Sequence, residues 1–73
     1  GLLGPALDDL RQTLVLNPRH FRAMFGVGTL MEVLGRQNEA IAAYNAALAI
    51  YPLEPDATNA LARLAIEIEG QAI

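Results

Sequence analysis

With 73 residues, eight acidic against five basic side chains and no cysteine, this chain is at most one small domain, near the size where a single core only just offsets the cost of ordering the backbone. The net charge of −3, with arginine as every basic residue, is a poor match for a phosphate backbone, and the missing thiols exclude disulfides and thiolate metal sites. Apolar residues make up 53%, many of them helix-favouring Ala and Leu, yet no run approaches the roughly 20 needed to span a bilayer.

In chain order, Gly4-Pro5 opens a first helix, because proline is tolerated in a first turn where its missing N–H would have no partner anyway. Leu7, Leu10 and Leu14 then recur at three- and four-residue steps until Asn17-Pro18 stops the pattern, which predicts a helix over about residues 5–17. Met24, Val27, Gly28, Met31 and Leu34 form the next stripe and predict a helix over about 20–34, with Gly35 as its C-terminal cap. Asn38 is expected to cap a third helix, about 38–51, carrying Ala40, Ile41, Tyr44, Ala47 and Leu48 on one face. Pro52 to Pro55 make a turn, and Asp56 is expected to cap a fourth helix, about 56–69, striped by Leu61, Leu64, Ala65 and Ile68.

A 34-residue echo ties these elements together. Asn17-Pro18 is answered by Tyr51-Pro52, Ala6-Leu7 by Ala40-Ile41, Leu10 by Tyr44, Leu14 by Leu48 and Leu16 by Ile50. A fixed period of this length marks stacked supersecondary units, each needing a neighbour to bury its apolar face. The expected class is therefore all-α, built from antiparallel helix-turn-helix repeats.

Met24-x-x-Val27-Gly28-x-x-Met31, then Ala40-x-x-x-Tyr44 and Ala47, then Pro52, resemble the tetratricopeptide repeat. One complete repeat fits residues 21–54. Residues 1–19 resemble the second helix of a preceding repeat, and 55–70 the first helix of a following one, with Ala57, Leu61 and Ala62 echoing Ala23, Val27 and Gly28. Met stands at 24 and 31 where the family usually has an aromatic residue. The resemblance implies a short right-handed α-solenoid of about four helices and a single repeat domain over residues 1–73, part of a longer repeat protein. Gly28 and Ala40 lie where small residues let helices approach, with Met24, Met31 and Tyr44 interlocking around the contact. On that placement Gly28→Leu costs roughly 1–3 kcal/mol through overpacking.

No catalytic constellation emerges. Asp8 and Asp9 are adjacent on a helix and diverge by about 100°. His20 is the only imidazole, better suited to a turn or groove edge than to a metal or a base role. Gly26-Val27-Gly28 lacks the preceding strand and third glycine of a dinucleotide loop. Glu67 and Glu69, two apart, point in different directions and cannot act as a paired acid and base. Neither a cofactor nor an enzymatic activity is expected.

What remains is protein binding. In such repeats the first helix of each unit lines a concave face that receives peptides or partner helices. The resemblance carries the groove positions onto Arg22, Phe25, Thr29, Glu32 and Val33 of the second helix, and Asn59, Arg63 and Ile66 of the fourth. Phe25 is equally compatible with packing on a neighbouring helix. Some family members clamp a terminal carboxylate with paired basic and Asn side chains. Arg22 holds one such place, but Gly26 and Ala60 occupy the others, so the clamp is incomplete. If Arg22 and Arg63 face one groove, an acidic peptide is the matching ligand. The alternative is a homodimer or larger self-assembly formed through an apolar edge of the first helix bearing Leu3, Leu7, Leu10 and Leu14. The compartment is not set by the sequence. Arginine as the sole basic residue, with abundant Ala, is a composition associated with GC-rich, often bacterial, genomes.

Overall fold

The computed structural model describes residues 3–71 and contains four helices: α1 Leu3–Leu16, α2 Phe21–Val33, α3 Gln37–Ile50 and α4 Pro55–Gln71. Short connections return each helix against the one before it. Successive helices pack together, the α2–α3 pair most extensively. The result is a short α-solenoid measuring 41 × 33 × 14 Å. Its thin dimension is little more than the roughly 10–12 Å diameter of one helix, so every helix keeps an open face.

Local chemistry sets the boundaries. Pro5 lies in the first turn of α1, where its missing donor costs nothing. Asn17 accepts the Arg19 N–H at 3.2 Å in the turn that follows. His20 is the N-cap of α2, its Nδ1 accepting the Ala23 N–H at 3.1 Å. At the other end the C-cap is Leu34, and Gly35 follows it at φ +78°. The Arg36 N–H donates to the Met31 carbonyl at 2.8 Å and the Gly35 N–H to that of Glu32 at 3.0 Å, the paired bonds of a Schellman motif. Only a residue free to adopt φ > 0 closes this turn cheaply.

Two of the expected caps differ. Asn38 is the second residue of α3 and does not cap it. The Schellman turn delivers the chain to helical geometry by Gln37, so Arg36 becomes the N-cap, without a side-chain bond. Asp56 likewise lies inside α4. Pro55, with φ already fixed near the helical value, starts the helix, and the carboxylate of Glu54 accepts the Asp56 N–H at 3.1 Å.

The core is thin and rich in alanine. Met31, Ala40, Tyr44, Ala60 and Leu64 form its buried cluster, flanked by Leu7, Phe25, Val27, Ile41 and Leu61. Ala23, Ala43, Ala47 and Ala57 are also buried. Burying Leu64 contributes about 1.5–3 kcal/mol. Gly28 is buried in α2 for a more specific reason than the sequence suggested. A Cβ there would lie 2.5 Å from Cε1 and 2.7 Å from Cδ1 of Tyr44. The vacancy at Gly28 is filled by that ring, and Met24, expected at the same contact, is only half-buried. Of the anticipated apolar edge on α1, Leu7, Leu10 and Leu14 are half-buried, while the Leu3 side chain lies outside the described residues. Among the described side chains of α1 the exposed large apolar groups are Val15 and Leu16, at 79% and 83%.

Candidate functional site

Helices α2 and α4 lie on either side of an open concavity of about 530 Å³. Phe25, Thr29, Glu32 and Val33 project into it from α2, and Asn59 and Arg63 from α4, with Tyr44, Asp56 and Ala60 completing its walls. These positions converge because residues three and four apart share one face of a helix.

An ion pair crosses this concavity. Arg63 Nη1 and Nη2 donate to Glu32 Oε2 and Oε1 at 2.6 and 3.0 Å, a bidentate pairing that matches the planar guanidinium fork to a carboxylate. The Tyr44 hydroxyl, carried by α3, donates to the same Glu32 carboxylate and lies 3.4 Å from Thr29 Oγ1. Glu67, one turn further along α4, approaches Arg63 at 3.6 Å and accepts from Gln37. The Arg63 guanidinium holds the Glu32 carboxyl below the usual carboxylate range, helped by the Tyr44 hydroxyl and opposed by partial burial. Burial, followed by the hydrogen bond to Glu32, pushes the Tyr44 phenol up. Arg63 is raised above its ordinary value by the same carboxylate.

A second concavity of about 360 Å³ adjoins the first and is lined by Phe21, Arg22, Phe25, Tyr51, Glu54 and Asp56. Phe25 and Asp56 are common to both. An aromatic run connects them: Tyr51 meets Phe21 edge-on at 6.0 Å, Phe21 stacks on Phe25 at 6.0 Å, and Phe25 tilts against Tyr44 at 5.3 Å. Phe25 thus packs on the core and also lines the open face.

Six of the eight groove positions inferred from the sequence line the first concavity. Arg22 lines the second, so the two arginines do not share one hollow, and Arg63 is already engaged by Glu32. Ile66 is 70% exposed and lines neither. Gly26 and Ala60, where a carboxylate clamp would need polar side chains, are packing positions. A Cβ on Gly26 would meet Leu10 Cδ1 at 3.2 Å, and Ala60 is buried in the core cluster. Sequence reasoning missed Phe21, Tyr51, Glu54 and Asp56 as lining residues. Tyr51 carried a usable signal, since it replaces Asn17 in the 34-residue echo with an aromatic side chain directly before Pro52. Tyr44 was visible as core, but not the reach of its hydroxyl into the hollow.

Helix hairpins stacked in a thin array, with an open hollow between alternate helices, define a helical repeat scaffold. No helix among the described residues is long and apolar enough to cross a membrane, and no group of three or more His, Cys, Asp or Glu among them could hold a metal ion. The tetratricopeptide repeat family matches residues 21–64, which span α2, α3 and most of α4. The chain belongs to that family, whose repeats are scaffolds for protein–protein interaction. No curated protein and no solved structure matches the chain significantly.

Proposed function

We propose that the face between α2 and α4 docks a peptide or helical segment of a protein partner. The observation that supports this reading best is the continuous pair of hollows joined by Phe25, in which an aromatic run is left partly open to solvent beside polar side chains. Hollows of that make-up, aromatic walls interspersed with charged and polar side chains, suit a segment that buries one side chain and hydrogen-bonds through its polar groups. The test is affinity capture from a lysate of the source organism with the wild-type chain and a Phe25→Ala, Arg22→Glu double variant of matched helicity. A protein retained by the first and lost by the second supports the docking face. Equal retention by both removes it.

A second reading is self-association through α1, favoured by the exposure of Val15 and Leu16. Light scattering over a dilution series separates the two, because a strictly monomeric species leaves the α1 edge no such role.

A further inference from the structure

The docking reading leaves open which charge the partner brings, and the ion pair in the first hollow bears on it. Glu32 takes both guanidinium nitrogens of Arg63, which is the geometry by which a guanidinium would receive a partner's carboxylate. Glu67, at 3.6 Å, adds a second negative charge beside the same arginine. Of the charged groups lining the two hollows, Glu32, Glu54 and Asp56 outnumber Arg22 and Arg63, and the chain as a whole is acidic. No carboxylate among the described residues lies within ion-pair distance of Arg22, but its charge is exceeded by Glu54 and Asp56 in the same hollow.

We propose that Glu32 is a specificity-determining residue: it occupies the guanidinium fork of Arg63 as an internal stand-in for a ligand carboxylate, so that the concave face accepts a partner segment carrying a basic side chain and turns away an acidic one. Tyr44 fixes the stand-in from the side, its hydroxyl bonded to the same carboxylate. A partner carboxylate seeking the same fork would have to displace Glu32 from Arg63 and leave it half-buried with only the Tyr44 hydroxyl, a cost that a cationic side chain does not meet. This inference rests on the docking reading and gives it a sign.

The experiment uses two probes, an acetylated and amidated Leu-Lys-Phe-Lys-Leu peptide and its counterpart with Glu in place of Lys, titrated while backbone amide shifts are followed by NMR. For the wild-type chain the Lys peptide is expected to bind tighter by about fivefold, the scale of one partly exposed ion pair, with shifts at Phe25, Asn59 and Arg63. Glu32→Gln, which retains an acceptor for Tyr44, is expected to reverse the preference, and adding Arg63→Gln should abolish the gain for the Glu peptide. A wild-type chain that favours the Glu peptide in the same hollows overturns the charge rule while sustaining the docking face. A Lys-to-Glu preference unmoved by Glu32→Gln overturns the role of Glu32. Silence of the hollow amides with both peptides defeats the inference, and the capture experiment then reports on the docking face by itself. The wild-type comparison requires no variant to fold.

Discussion

Adding one carbon at Gly28 should destabilise this chain even though alanine is the better helix former. Taken alone, helix propensity favours Gly28→Ala by about 0.8–1 kcal/mol. The new Cβ, however, would sit 2.5 Å from Tyr44 Cε1, and the ring must retreat by roughly 0.9 Å to reach the ordinary contact distance of 3.4 Å. Tyr44 is 1% exposed, rests against Phe25 at 5.3 Å and is tethered by its hydroxyl to Glu32, so little room exists for the retreat. Overpacking of this kind costs about 1–3 kcal/mol, and weakening the bond to the Glu32 carboxylate adds up to about 1.5–3 kcal/mol. The net expectation is a loss of about 2 kcal/mol, which for a domain of this size lowers Tm by roughly 8–16 °C. Circular dichroism during thermal and urea unfolding measures it. A Tyr44→Leu background supplies the control: with the ring removed, Gly28→Ala should stabilise by up to about 1 kcal/mol. The reasoning fails if Gly28→Ala raises Tm in the wild-type background, or costs the same whether or not the ring is present. Gly28→Leu, with three further carbons to place against the same ring, should cost more than the roughly 1–3 kcal/mol of ordinary overpacking.

Three further outcomes follow from the same network and from the α2–α3 turn. Because Arg63 holds the Glu32 carboxyl below its ordinary 4.5, the unfolded chain takes up that proton first as pH falls. The stabilisation from this group is therefore complete above about 4.5 and is lost as pH drops through the folded value, and Glu32→Gln should flatten that acid limb in urea titrations. Tyr44 shows the opposite limb. Its phenol is raised above 10.0 by burial and by Glu32, so its contribution is complete below that value and disappears as pH climbs through the folded one. Tyr44→Phe should remove this alkaline dependence and cost about 0.5–2 kcal/mol at neutral pH, a difference from the parent chain that urea unfolding should show at neutral pH and see shrink at alkaline pH. Gly35→Ala meets no neighbouring atom yet holds φ +78°, so it should cost about 1–2 kcal/mol, with Gly35→Asn milder; equal Tm values for Gly35→Ala and the parent chain would contradict that assignment.

The fold was legible because three independent local signals agree: leucine and methionine stripes at helical spacing, Pro and Gly at each break, and a repeat that places Gly28 opposite Tyr44. Helix caps were less legible. Asn38 and Asp56 are good capping residues, but the Schellman turn at Gly35 and the fixed φ of Pro55 start each helix before those residues are reached. Of the groove, the resemblance to the tetratricopeptide repeat was enough to name Phe25, Thr29, Glu32 and Arg63, which line one hollow. What spacing could not show is that Glu32 and Arg63, 31 positions apart, satisfy each other. An arginine read in isolation looks available to a ligand, and only the crossing of α2 and α4 shows that it is taken.

The Glu32–Arg63 bridge also breaks the symmetry of the array. Coupling in stacked repeats runs mainly between adjacent units, and this bond joins the first helices of two such units, α2 and α4, passing over α3. Among the described residues no side-chain hydrogen bond or ion pair ties α1 to another helix. Detaching α4 therefore requires releasing a clasp anchored two helices away, whereas α1 is held by apolar contact and backbone turns. The α4 side of the stack thus carries a polar clasp that α1 lacks, and acid loosens it by protonating Glu32.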